Sequence, residues 1–216
     1  MAISKVNFNS LNVTPTASKV LKFNSSNDGL EAGDVGGALV LLSTATASSS
    51  STIDFTSSID STYKEYIFKL INIHCSADDD DFRFNFSIDG GSNYNVTKTT
   101  SIFYALHKEN GADAELLYEA SSDIAQGTGY QRFCAGGLMS GDSDHSLSGT
   151  LHLFDPSNTS LVTHFTTSTN HNNKSDYSIR NFVGGYVNST SAVNAVDFKV
   201  ESNTIDSGVI KLYGVS

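Results

Sequence analysis

Side chains able to do chemistry are few in this chain and widely scattered. Asp78, Asp79, Asp80 and Asp81 form a run of four carboxylates, hard oxygen donors of the kind calcium takes, with Asp142 and Asp144 as further donors if the loops converge. The run lacks the D-x-D-x-D-G order of a calcium loop. It reads as a solvated loop tip whose self-repulsion protects strand ends from edge pairing, and no metal is expected. Six histidines, His74, His107, His145, His152, His164 and His171, make no H-E-x-x-H, and no G-x-S-x-G or cysteine-nucleophile context is present. His152 and His164 fall in predicted strands as packing or surface residues. Paired carboxylates for glycoside cleavage are assembled in space and leave no sequence signature. Cys75 and Cys134 lack C-x-x-C spacing, which argues against a zinc or redox site and predicts two buried free thiols, a disulfide being open to them only if their strands are neighbours. Gly33 to Gly37 and Asp89 to Ser92 lack the phosphate-loop pattern and read as turns. No cofactor is expected, and the chain is expected not to be an enzyme.

Loop aromatics flanked by amides are the best binding candidates, because a planar apolar face beside hydrogen-bonding groups is how proteins hold sugars. They are Tyr94 with Asn93 and Asn95 beyond an Asp-Gly-Gly turn, Tyr130, and His171 with Asn170 and Asn172. These residues are the candidates for receptor contact.

The elements that must carry them are strands. Ser (33), Thr (19) and Asn (18) supply 70 of the 216 residues, against 2 Pro and no Trp, a composition of turns and exposed strand faces that disfavours helix. Phe82, Phe84, Phe86 and Ile88 alternate with polar residues, as do Leu147, Gly149, Leu151 and Leu153. That is the period of a half-buried antiparallel strand. Tyr63 to Cys75 reads as a long strand with Tyr66, Phe68, Leu70, Asn72 and His74 on one face and Ile67, Lys69, Ile71, Ile73 and Cys75 on the other. Ala38 to Thr44 and Thr52 to Thr56 are short runs divided by a Ser-rich loop, and Gln131 to Leu138, Leu161 to Thr167, Tyr177 to Tyr186, Ala195 to Val200 and Val209 to Tyr213 are further strands. Only Ala112 to Ala120 has helical composition. About ten strands without a fixed repeat predict an all-β protein, an antiparallel β-sandwich of jelly-roll type.

Residues 1–36 differ from the rest. Ile3, Val6, Phe8, Leu11, Val13, Val20, Leu21, Phe23 and Leu30 are thinly spaced among Ser, Thr and Asn, too sparse to form a core, yet more apolar than a flexible tail ordinarily is. The expectation is an extended N-terminal assembly arm over 1–36, reaching at most about 120 Å, followed by a β-sandwich over 37–216. Val6, Phe8, Leu11, Val13, Val20, Leu21, Phe23 and Leu30 are its expected interchain contacts. Lys plus Arg is 13 against 23 for Asp plus Glu, a formal charge of −10, which argues against nucleic acid and anionic lipid as partners. Met1 to Phe8 has no apolar run of signal-peptide length, so synthesis in a cytosol without a signal peptide, and no membrane insertion, are expected. Asn-x-Ser/Thr matches such as Asn95-Val96-Thr97 are expected by chance in so Ser- and Thr-rich a chain.

The segments LNVTPTASKVLKFNSSNDGLEAGD, SSSTIDFTSSIDSTYKEYIFKLINIH, FSIDGGSNYNVTKTT, LSGTLHLFDPSN and SGVIKLYGV together resemble virion appendage proteins of tailed bacteriophages, especially those of marine bacteria. The resemblance covers nearly the whole chain through structural motifs and identifies no active residue. It implies an N-terminal fibre or attachment segment, a β-sandwich knob, and a homotrimer on the particle that contacts other virion proteins through its arm and a host surface glycan or protein through its knob. The expected function is thus a non-enzymatic fibre or spike that attaches the virion to its host. A capsid decoration protein and a host-glycan depolymerase are the alternatives, and a free carbohydrate-binding module leaves the arm without a purpose.

Overall fold

A computed structural model describes residues 20–33 and 39–216, and its contacts divide the chain into two units, Met1–Ala38 and Leu39–Ser216. In the first unit β1 (Val20–Phe23) pairs with β2 (Leu30–Gly33) as an antiparallel hairpin. For these residues the extended arm gives way to a hairpin because the intervening Asn and Gly residues close a turn. Asn24 Oδ1 accepts from the backbone N–H groups of Asp28 and Gly29 at 3.2 and 3.3 Å, and Asn27 takes the left-handed conformation at φ 57°, which Asn tolerates better than most residues. Lys22 and Glu31 pair across the ladder at 3.4 Å. Val6, Phe8, Leu11 and Val13 lie outside the described residues.

The second unit contains β3 (Leu39–Ser50), β4 (Thr52–Phe55), β5 (Glu65–Cys75), β6 (Phe82–Ser87), β7 (Lys98–Lys108), β8 (Ala114–Tyr118), β9 (Gln131–Arg132), β10 (Leu147–Phe154), β11 (His164–Asn172), β12 (Tyr177–Val187), β13 (Ala195–Val200) and β14 (Ile205–Val215). All pairings are antiparallel. One sheet runs β3-β14-β5-β10-β11-β12-β7-β8 and the other β4-β13-β6-β9. The chain crosses between the sheets at β3–β4, β4–β5, β5–β6, β6–β7, β8–β9, β9–β10, β12–β13 and β13–β14, and two four-stranded layers, β3-β14-β5-β10 and β4-β13-β6-β9, wrap as a jelly roll. β11, β12, β7 and β8 extend the larger sheet beyond the smaller one.

The alternating strands meet face to face. Phe82, Phe84 and Phe86 of β6 and Phe198 of β13 pack with Phe68 and Leu70 of β5 and Leu151 and Leu153 of β10, all buried. Phe133 lies 4.6 Å from the Phe84 ring and 5.2 Å from Phe82. Each such ring contributes roughly 2–3 kcal/mol of burial. The thiols of Cys75 and Cys134 are free and buried, and burial pushes Cys75 up to about 11 and Cys134 further.

Several local expectations are corrected by long-range pairing. The helical composition of Ala112 to Ala120 is overridden where Ala114–Tyr118 pairs with β7 as an edge strand. β3 runs through the serines to Ser50 because β14 pairs along its length. Only Gln131–Arg132 of the expected 131–138 strand is regular. In β5 an extra residue, Asn72 at φ 49°, bulges against both neighbours. The alternation therefore changes phase: Ile73 and Cys75 join Tyr66, Phe68 and Leu70 in the core, and His74 leaves the face assigned to it.

Nor is the four-carboxylate run a solvated tip, for only part of it is exposed. Asp80 is buried and accepts five hydrogen bonds, from the backbone of Asp81, Glu201, Ser202 and Asn203 and the amide of Asn203, at 2.8–3.3 Å. It organises the turn between β13 and β14. Asp81, also buried, binds Arg83 at 2.9 Å and Arg132 at 2.6 Å. Asp78 holds Ser140 and the backbone of Gly141, and exposed Asp79 pairs with Lys174. Replacing Asp80 with Ala is expected to cost about 4 kcal/mol in urea unfolding, since several buried N–H groups lose a charged acceptor. Asp79→Ala is expected to stay within about 0.5 kcal/mol. Equal losses for the two variants would contradict this assignment.

Candidate functional site

The expected receptor residues part into two groups. On the outer face of the smaller sheet, the 89–97 segment is pinned by Asp89, which accepts from Asn93 N–H at 2.9 Å and Asn93 Nδ2 at 2.7 Å. These bonds, the Asn93 side chain foremost, pull the Asp89 carboxyl down to about 2. Asn93 and Asn95 are exposed. Tyr94 is half-buried, its carbonyl accepting from Asn85 Nδ2 at 2.6 Å. Its hydroxyl is buried beside Asp54, and burial, reinforced by that carboxyl, raises its pKa. Tyr130 arrives from the segment before β9 and donates its hydroxyl to Asp197 Oδ2 at 2.5 Å, while Lys199 Nζ lies 4.5 Å over its ring.

Tyr94 and Tyr130 are thus gathered around a carboxyl pair with no signature in the sequence. Asp54 of β4 and Asp197 of β13 stand directly opposite in the ladder, an arrangement unfavourable for two charges. Asp197 is 1% exposed; burial first, and Asp54 second, push it up to about 7. Asp197 therefore carries a proton beneath the two phenols in mildly acidic solution. Beside it Lys98 is buried, donating to Asn85 Oδ1 at 2.7 Å and Val96 O at 3.2 Å, and burial draws it down to about 8.

Asn170, His171 and Asn172 lie far along the sequence on β11. Asn170 is exposed and bonds Ser178; Asn172 accepts from Ser146 N–H at 2.9 Å. His171, by contrast, is 1% exposed and cannot touch a receptor. Its Nε2 must carry the proton, since the Gly137 carbonyl at 2.9 Å only accepts, and Nδ1 accepts from Asn181 Nδ2 at 3.2 Å. Burial lowers this ring to about 4, keeping it neutral. It belongs to a polar inner face. Thr169 donates to Phe133 O, Asn181 accepts from Ala135 N–H, and Thr100 bonds Gln131. Together these residues satisfy the backbone and side chains of a segment that covers the overhanging strands.

Besides a hollow of about 400 Å³ beside Tyr104, Glu119, Arg132 and Gly136, two concave features escaped the sequence reading. One, of about 440 Å³, sits at the bulged end of β5 and β14, lined by Asn72, His74, Asp144, His145, Asp206 and three serines. The extra residues Asn72 and Asp206 aim side chains there. His74 Nε2 donates to Asp142 O at 3.1 Å, and its Nδ1 is 3.6 Å from Asp206. His145 lies 3.9 Å from both Asp142 and Asp144. Among the described residues no group of three or more His, Cys, Asp or Glu is placed to hold a metal. The other is a trough of about 300 Å³ on the outer face of β7, β11 and β12, around Gly184 and Tyr186. Neither could be found without knowing the bulges and the strand order.

The fold and these surfaces define a jelly-roll sandwich with polar and aromatic concavities on its outer faces. The chain matches no protein-family model, no curated protein and no solved structure.

His171 and Asp197 make opposite contributions to stability. The His171 contribution is present above its unfolded value near 6.5 and is lost as pH falls through about 4; it amounts to about 3 kcal/mol. The Asp197 contribution is fully present below the unfolded value of 3.8 and is lost as pH rises through about 7. Between pH 4 and 6.5 they offset each other. Urea midpoints should therefore rise with pH in Asp197→Asn and fall with pH in His171→Gln, relative to the parent. Parallel profiles for the two variants would refute the assignment.

Proposed function

We propose that this chain is a non-enzymatic structural protein of a bacteriophage virion. In this reading it is a fibre or spike whose N-terminal unit joins sister chains and virion neighbours while its jelly roll faces the host. The observation that carries the reading is the hairpin. Val20, Leu21 and Phe23 are exposed, Phe23 at 69%, and a two-stranded hairpin is marginal alone in water. Apolar side chains on such an element gain most by packing against copies of themselves. A homotrimer is the assembly the resemblance implies. The jelly roll supports the reading by fold analogy alone, as it recurs in viral capsid and lectin domains.

The mechanism is multivalent adhesion. Weak contacts repeated on three chains and many fibres become strong through effective concentration, without a tight single site.

Light scattering of the full chain should give the mass of a trimer. Leu21→Ser with Phe23→Ser should give a monomer whose sandwich unfolds in urea with a free energy within about 0.5 kcal/mol of the parent's. A parent chain that is monomeric at tens of micromolar would overturn the reading.

A further inference from the structure

The trough on the larger sheet has a construction that packing does not explain. Along the outer face of β12, Phe182 stands opposite Phe103 of β7 and Ser168 of β11. Gly184 stands opposite Ser101 and Thr166, and Tyr186 opposite Thr99 and His164. The Phe103 and Phe182 rings stack at 5.0 Å, with the Arg180 guanidinium 5.3 Å over Phe182. His164 and Tyr186 pair at 6.0 Å. Two aromatic ridges thus flank a floor of glycine backbone and hydroxyl groups, and Phe103 keeps 43% of its surface in water.

The neighbouring glycines differ in why they are there. A Cβ at Gly185 would come within 2.7 Å of both Phe165 Cζ and the Thr99 carbonyl, so the core demands glycine. A Cβ at Gly184 would meet nothing within 4 Å, and no positive φ is recorded for it. The β11–β12 and β12–β7 ladders run without a bulge. A glycine inside a strand costs roughly 0.5–1 kcal/mol relative to alanine. With bulge and close internal packing both excluded, what remains of the usual reasons for such a glycine is close approach by something from outside.

We propose that this trough is a saccharide subsite that seats one uncharged pyranose over Gly184, between Phe182 and Tyr186. The inference rests on the adhesion reading and places its glycan contact on the larger sheet. A pyranose has an apolar C–H face that packs on an aromatic ring, and an edge of hydroxyls that both donate and accept. Thr99, Ser101 and Thr166 hydroxyls and the exposed His164 imidazole match that edge. No Asp, Glu, Lys or Arg is among the residues lining the floor around Gly184 and Tyr186, and the Arg180 guanidinium beside the Phe182 ridge is already held by that ring and by Ser168, which suits an uncharged pyranose. Its volume of about 300 Å³ falls at the small end of ligand sites, enough for a single ring and for the weak individual contact that adhesion by many copies requires.

The full chain, run in native gels containing dextran, galactomannan, xylan or mixed-linkage β-glucan, should be retarded by at least one of them. Gly184→Val fills open space with a strand-favouring side chain, so its urea midpoint should match the parent's while its retardation falls at least tenfold; Tyr186→Ala should lose a similar amount. Absence of retardation by all four polysaccharides overturns the subsite, as does retardation that survives Gly184→Val. The scattering mass separates this from the assembly reading. A trimer without retardation removes the subsite and leaves assembly standing, whereas a retarded monomer whose retardation Gly184→Val removes supports the subsite and removes assembly.

Discussion

The constraint from which most of this structure follows is the mismatch between its layers: eight strands on one side and four on the other. A sheet face that lacks a second sheet still has to be removed from water, and a segment with little regular structure brings unpaired backbone groups with it. The inner face of β11, β12 and β7 keeps Phe165, Ile102, Ile179 and Val183 in the core and turns polar beneath the covering segment. Thr169, His171, Asn181 and Thr100 stand where a sandwich ordinarily has aliphatic residues, each bonded to the covering segment or to its neighbours. Lys98 on the same strand is fully buried for a related reason, its ammonium shared between Asn85 and Val96.

That polar layer explains where sequence reasoning succeeded and where it did not. The alternation of Phe82, Phe84 and Phe86 and of Leu147, Leu151 and Leu153 was legible because those strands lie between two apolar faces, and so were the all-β class and the buried, unbonded cysteines. His171 was not legible. An imidazole flanked by asparagines looks like a loop tip until the overhang is known, and only then does a buried neutral ring make sense. The Asp80 carboxylate misleads in the same way, since four of its five hydrogen bonds come from a turn more than a hundred residues away in sequence.

Single-residue irregularities account for the remaining surprises. Asn72 shifts the phase of β5, so a period-two reading that holds to Leu70 fails from Ile73 onward. The same extra residue moves His74 out of the core face and into a polar cavity. Bulges carry no signal in hydrophobic periodicity beyond the Asn itself, a residue tolerant of positive φ. Ala114 to Tyr118 shows the opposite case: composition favours a helix, but the edge of β7 offers a ladder that five residues of helix cannot match. Tyr94 and Tyr130 stand out in the sequence for their rings, whereas the carboxyl pair that gathers them is visible only through the register of β4 on β13.

The two cysteines have a consequence of their own. A thiol reacts as its thiolate, and both Cys75 and Cys134 are enclosed where that form is strongly disfavoured. Neither is cross-linked. The covalent structure of the sandwich is therefore indifferent to redox potential. It offers no reducible bond.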